Sequence, residues 1–248
     1  MPFFLLLLLH LTEPQLLLLP ELLPVQLLPG EYLPAASPVV VSVNNNLNAN
    51  FSDGKKGQTI DGFGVTLSPR VGDMGDFTPY GPNPDYVNGV IDHNMKIARM
   101  AVPPNFERVN DNNNPNVLNR SAFDIDALKI DQYKAYAAAG VEKFIGTIWS
   151  IPAFTKINKV TELIDGAGYI ADNTIDTNYV DEVAEFCFAY VTMLKEYTGI
   201  ELYALNFVNE PQFNQFYASA KIEPWQYVLI LKAIGKKFAD NGIKTLLF

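Results

Sequence analysis

Cysteine and histidine are nearly missing from this chain. Cys187 is the single cysteine, so no internal disulfide can form, and His10 and His93 are the only histidines. That scarcity excludes zinc, haem and iron–sulfur centres, which draw on several thiolate or imidazole ligands. Cys187 lies in the apolar run Phe186-Cys187-Phe188-Ala189-Tyr190, where it reads as a small buried hydrophobe rather than an activated nucleophile. Positive charge is also short: 18 Lys and Arg stand against 27 Asp and Glu, for a net charge of −9. A groove for nucleic acid needs clustered cations, so that class of partner is excluded. No uninterrupted apolar run approaches the ~18 residues of a membrane span. There is no P-loop, and the glycines of Gly62-Phe63-Gly64 do not continue into a dinucleotide fingerprint. What the chain does have is apolar material, 48% of its 248 residues, enough for the core of one large domain or two small ones.

Residues 1–38 differ from the rest. Leucine dominates them, and prolines at 2, 14, 20, 24, 29, 34 and 38 interrupt any helix that leucine would favour. The Phe3–Leu9 block has the length of the apolar core of a secretory signal, although a basic start is lacking and Ala35-Ala36-Ser37 is a weak cleavage site. The segment reads as signal-like or disordered, and secretion follows as the expected location. In a eukaryote, secretion would make Asn50 and Asn119 candidate glycan acceptors. Residues 39–57 follow, with the β-branched run Val39–Val43 and an Asn-rich turn.

From residue 58 the pattern alternates strand and helix. Strands are expected at Gln58–Thr66, Lys96–Val102, Lys143–Trp149, Glu201–Phe207 and Ile243–Phe248, with helices at Asp85–His93, Asp126–Ala139, Tyr179–Tyr197 and Pro224–Ala239. Pro84 suits a first helical turn, and Gly140, Gly199 and Gly242 suit helix ends. Strands separated by helices imply right-handed crossovers and a parallel sheet, either open or closed into a barrel. The segments after the strands are long and rich in Pro, Asn, Asp and aromatics, whereas those before them are short. That asymmetry is the habit of a barrel whose chemistry sits at the C-terminal strand ends.

The residues able to do chemistry fall at those ends. Asn209-Glu210-Pro211 directly follows the fourth strand. A carboxyl flanked there by aromatics and prolines is expected to be partly desolvated, which suits a proton donor, against the alternative of a surface Glu in a loop. Trp149, at the end of the third strand, offers a flat face to a sugar ring, or else caps the barrel structurally. Arg99, inside the second strand, needs a partner: a catalytic carboxylate or a structural ion pair. Glu107 is a second candidate carboxylate, but Arg108 beside it favours an exposed pair.

The segments Gln58-Thr59-Ile60-Asp61-Gly62-Phe63-Gly64, Ile97-Ala98-Arg99-Met100, Trp149-Ser150-Ile151-Pro152-Ala153-Phe154-Thr155-Lys156 and Asn206-Phe207-Val208-Asn209-Glu210-Pro211 together resemble glycoside hydrolase family 30, over about residues 39–248. The resemblance implies an α/β fold: a partial TIM (β/α)8 barrel holding the first four βα units plus strand five in residues 58–248, with Val39–Val43 as an N-terminal strand of a side β-domain. It implies a retaining β-glycosidase with Glu210 as acid/base, Asn209 on the sugar 2-hydroxyl, Arg99 supporting the nucleophile and Trp149 lining the sugar site, with no metal or cofactor. The nucleophile, on a strand with no counterpart here, is expected outside this chain, and this polypeptide alone is expected to be inactive. The implied partner is a β-linked polysaccharide or a glycolipid, among glucosylceramide, β-1,6-glucan, β-1,6-galactan and glucuronoxylan. Two other readings stay open: another retaining β-glycosidase of the same clan, and a non-catalytic carbohydrate-binding or interaction module on part of a barrel.

Overall fold

The computed structural model describes residues 5–9, 60–67, 83–163 and 170–248. Two compact units are present, Met1–Leu7 with Gly62–Phe248, and Leu8–Asp61; the second falls almost wholly outside the described residues. Val39–Val43, expected as a side-domain strand, and Asn50 lie outside the described residues too. Of residues 1–38, Leu5–Leu9 is described, as strand β1 at one end of the sheet.

The strands of the strand–helix pattern are β2 (Ile60–Thr66), β3 (Ile97–Val102), β4 (Lys143–Ile148), β5 (Ala204–Asn206) and β6 (Leu246–Leu247). The helices between them are α1 (Pro84–Asp92), α2 (Ile130–Ala138), α3 (Val180–Thr198) and α4 (Pro224–Asp240). Each strand from β2 to β6 pairs in parallel with the next in sequence. A doubly wound sheet would reverse its order at a switch point; a sequential order has none. With crossovers of one hand, all the helices then fall on one face, and α1 packs on α2, α2 on α3 and α3 on α4. A single helical layer on a twisted parallel sheet is the arrangement of a barrel wall.

Strand alternation decides which residues meet that layer. Ala98, Met100 and Val102 of β3, Phe144 and Ile148 of β4 and Leu205 of β5 join the large core with the helices. Their neighbours, Arg99 and Ala101, Thr147 and then Trp149, and Asn206, point to the opposite, inner face. The helical layer is knit by aromatics such as Phe106, which meets Phe123, Phe186 and Tyr190. The buried Tyr133 and Tyr190 hydroxyls satisfy each other at 3.1 Å.

Three helices match expectation within a residue or two. α1 is capped by the Asn83 side chain with Pro84 in its first turn, and α3 ends at Gly199 in the left-handed conformation (φ 76°). The helix expected over Asp126–Ala139 is instead broken. Asp124 caps a short 3-10 turn, Ile125–Leu128, and Lys129 turns left-handed (φ 52°) before α2 begins. Leu128 and Tyr133 are both buried, yet five positions along one continuous helix would set them about 140° apart. The break lets both face the core. The fourth strand is also shorter than expected, Ala204–Asn206, although Tyr203 still donates its N–H to the Phe144 carbonyl and accepts from Leu246.

Close packing at β2 fixes a first test. A Cβ on Gly64 would lie 2.7 Å from the Ile97 Cβ and 2.8 Å from its carbonyl oxygen, whereas one on Gly89 in α1 meets nothing within 4 Å. Gly64→Ala should therefore destabilise by about 1–3 kcal/mol or more as β2 is pushed off β3. Gly89→Ala should stabilise by about 0.5–1 kcal/mol through helix propensity. Urea unfolding midpoints of the two variants should move in opposite directions.

Candidate active site

The inner face at the C-terminal strand ends gathers the four residues singled out in the sequence. Arg99 projects from β3 and donates Nε to the Thr147 hydroxyl of β4 at 2.9 Å. It also donates from a terminal nitrogen to Asn209 Oδ1 at 2.5 Å. Its guanidinium carbon stands 4.6 Å from the centre of the Trp149 ring. Asn209 in turn donates Nδ2 to Glu210 Oε2 at 3.2 Å, and Tyr217 donates its hydroxyl to the same oxygen at 3.3 Å. One continuous chain thus runs Thr147–Arg99–Asn209–Glu210–Tyr217.

Backbone geometry presents this chain. After β5 the Asn209 N–H still reaches the Ile148 carbonyl at 2.6 Å, so Asn209 is held on the sheet. On either side of it Val208 and Glu210 adopt φ of 68° and 47°. Positive φ is a strained state for a β-branched residue. Val208 accepts it because its side chain is buried in the main core, and the turn directs Asn209 and Glu210 inward at the strand end.

Electrostatics follow burial. Partial burial draws Arg99 below its ordinary value, and the Glu210 charge pulls it back up. Burial and then the Glu210 carboxylate push Tyr217 above the usual phenol range. Among the described residues, Glu210 is the carboxylate that acts on both groups.

Three expectations need correcting. Glu210 is exposed rather than partly desolvated: the aromatic nearest it, Tyr217, touches one carboxylate oxygen and leaves the other side open. Trp149 is 6% exposed. It packs with Ala101 and Ala218, with Tyr217 alongside, and carries Arg99 on its face. It is a support beneath the cation, not an open shelf. Glu107 does not form an exposed pair with Arg108. Arg108 reaches Asp124 at 3.4 Å, while Glu107 is 1% exposed. Burial first, then the charges of Asp111, Glu185 and Glu182, push Glu107 up to about 9. It faces α3, away from Glu210's network. Cys187 is buried as expected, and its burial raises the thiol.

Thr147, Tyr217 and Lys156 escaped the sequence reading as site residues. Thr147 had a signal, a lone hydroxyl in an otherwise apolar strand two positions before Trp149. Tyr217 had none beyond an aromatic-rich loop. Lys156 is fully buried and donates Nζ to the Ser219 carbonyl at 2.8 Å and to the Ser150 hydroxyl at 3.4 Å. It ties the loop after β4 to the loop after β5. Asn173 reinforces the junction through Asn214 and Ser219. Tyr217 and Ala218 are thereby fixed over Glu210 and Trp149.

No protein-family model and no curated sequence matches the chain. Solved structures do. The chain is similar to the catalytic domain of glycoside hydrolase family 30 xylanase C from Talaromyces cellulolyticus, with TM-score 0.57 and 19% identity, over 77% of this chain and 46% of that one. It is similar to an endo-β1,6-glucanase, with TM-score 0.54 and 20% identity, over 77% and 44%. It is also similar to a conserved exported protein from Bacteroides fragilis, with TM-score 0.55 and 14% identity, over 74% and 42%. The chain spans less than half the length of each. The fold is that of glycoside hydrolase family 30 catalytic domains, in the part these alignments cover.

Two measurements check the site. In a Trp225→Phe variant the remaining emission comes from Trp149, and it should be blue-shifted and poorly quenched by acrylamide; red-shifted, readily quenched emission would place the indole on the surface. Burial pushes Lys156 down to about 7, against about 10.5 in an unfolded chain. Between those values the unfolded state holds a proton that the folded state has shed, so stability rises with pH across that window and the contribution is lost as pH falls through 7. Relative to Lys156→Met, the parent chain should gain on the order of 2–3 kcal/mol between pH 7 and 9.5, read from urea unfolding at each pH. A flat difference would show a solvated amine.

Proposed function

We propose that this chain is part of a retaining β-glycosidase, with Glu210 as its acid/base. The observation that carries the reading is the Arg99–Asn209–Glu210 chain, which runs from the middle of β3 to the turn after β5 on the inner face of a sheet whose fold matches glycosidase catalytic domains. With Oδ1 of Asn209 committed to Arg99, its amide nitrogen faces the Glu210 carboxylate and can donate to a sugar 2-hydroxyl. In the first step a carboxylate nucleophile attacks the anomeric carbon, the glycosidic C–O bond breaks and Glu210 gives its proton to the departing oxygen. In the second step Glu210 takes a proton from water, the water oxygen attacks the same carbon and the nucleophile is released. The nucleophile is assigned to a part of the barrel that this chain does not carry, about 5–5.5 Å across the bond.

Arg99 is given two tasks in this reading: it holds Asn209, and its positive charge favours the ionised form of a nucleophile beside it. Trp149 keeps the guanidinium flat and in place. The substrate class is a β-linked polysaccharide, since two of the structural neighbours are described as a xylanase and an endo-β1,6-glucanase. Action outside the cell is proposed with it, supported by the neighbour described as exported. No helix among the described residues is long and apolar enough to cross a membrane.

The test uses the complete parent protein. Glu210→Gln should lower turnover of a natural β-linked polysaccharide by about 100-fold or more. It should leave the burst with a dinitrophenyl β-glycoside within about tenfold of the parent, because so activated a leaving group needs little protonation. Equal loss on both substrates would remove Glu210 from the acid/base role.

A further inference from the structure

On the helical side of the sheet, far from Glu210's hydrogen-bond network, four carboxyl side chains converge. Glu107 and Asp111 come from the segment after β3, and Glu182 and Glu185 stand one turn apart on α3. One oxygen from each of Asp111, Glu182 and Glu185 lies within 4.8 Å of the others. Two ligands on opposite sides of a calcium ion at about 2.4 Å are about 4.8 Å apart, so the three can share one ion of that size. Glu185 supplies the independent observation: it is 1% exposed, and its Oε2 is buried with no hydrogen-bond partner among the described residues. Glu107, equally buried, stands within electrostatic reach of all three.

The free oxygens are distributed as a ligand set would need. Asp111 commits Oδ2 to the Asn112 side chain and the Asn119 N–H, and leaves Oδ1 buried and unused. Glu182 and Glu185 each leave Oε2 in the same condition. The one opposing charge that acts on Glu185 is Lys237, whose Nζ donates to the Pro115 carbonyl. One ammonium cannot offset four carboxylates, so without a further cation some of these acids must stay protonated, and a divalent ion would supply the charge that lets them ionise. The ligand atoms are all carboxylate oxygens, which suit a hard cation; the shortage of Cys and His bears only on softer metals.

We propose that Asp111, Glu182 and Glu185, with Glu107 beside them, form a calcium site that clamps the segment after β3 to α3. The site stabilises the barrel wall and takes no part in the chemistry assigned to Glu210, so the two readings stand or fall separately.

The test is made on the full chain in metal-free buffer near pH 7.5. Calorimetric titration with CaCl2 should show one ion bound per chain, and saturating calcium should raise the thermal midpoint by about 5 °C or more, reversed by EDTA. The double variant Glu182→Gln/Glu185→Gln relieves the crowding and should fold, with calcium affinity at least tenfold weaker and no midpoint shift. Asp92→Asn, on the exposed side of α1, should bind as the parent does. Absence of binding heat with a midpoint indifferent to calcium and EDTA overturns the proposal. So does binding that survives the double substitution. Stability that ignores calcium but falls steadily from pH 5 to pH 9 would identify a cluster held by shared protons and overturns it equally.

Discussion

The arrangement at the strand ends depends on one cation in a parallel strand. Arg99 lies in β3, whose other residues are apolar, and it is only partly covered. A guanidinium in that position must find acceptors or leave. It finds the Thr147 hydroxyl on the next strand and the Asn209 side-chain Oδ1 in the turn that follows the strand beyond, while the Trp149 ring offers its negative face. The fork geometry of arginine makes this possible; a lysine has one nitrogen and could not span β4 and β5 at once. Asn209 is oriented by that contact, and Glu210 is reached through Asn209. Position along the strand matters as much as residue type. Arg99 is out of phase with Ala98 and Met100, so it falls on the inner face with Ala101 while those two enter the helical core.

The loops are organised to hold what the strands present. Among the described residues Lys156 has no carboxylate partner, an expensive placement for a buried amine, yet its Nζ joins two loops that share no strand pairing. The Tyr217–Ser219 segment is then fixed from beneath, and Tyr217 can meet Glu210 from the side opposite Asn209. Strain at Val208 and Glu210 belongs to the same design. A turn with two positive-φ residues is unfavourable alone, but the Val208 side chain is anchored in the core and the Asn209 N–H on β4. The surroundings over-determine the turn, so the strain is held where Asn209 and Glu210 are given a fixed direction.

Strand and helix positions were legible because their signals are local: β-branched runs, prolines at helix starts and glycines at helix ends. Sheet order was not local, and closure into a barrel could be argued only from loop lengths until the pairings showed an unbroken sequence. Asn209, Glu210, Arg99 and Trp149 were legible as a set, since strand-end positions and a charge in a buried strand are visible in sequence. Their mutual roles were not. Trp149 read as a sugar shelf because nothing local shows that Arg99, fifty positions earlier in the chain, covers its face. Glu107 read as exposed because Arg108 is adjacent, but neighbouring residues on an extended segment point to opposite sides. Arg108 turns out toward Asp124 and Glu107 turns in toward α3. The break at Lys129 was hidden for a related reason, since helical periodicity cannot reveal that Leu128 and Tyr133 must reach the same core.

Charge is thus handled differently on the two faces of one sheet. On the inner face a single cation is balanced by acceptors and an exposed carboxylate. On the outer face four acids meet between a loop and a helix. Both solutions draw on the alternation of β3 and the turn that follows it. Arg99 leaves the strand on the inner side, and five residues past its end Glu107 leaves the chain on the outer one. A change in register of one residue through β3 would exchange those faces, setting Arg99 in the helical core and Met100 beside Asn209. Gly64 is what admits the present register, because a Cβ there would lie 2.7 Å from the Ile97 Cβ. The glycine-rich strand before the site is therefore part of how the site is held.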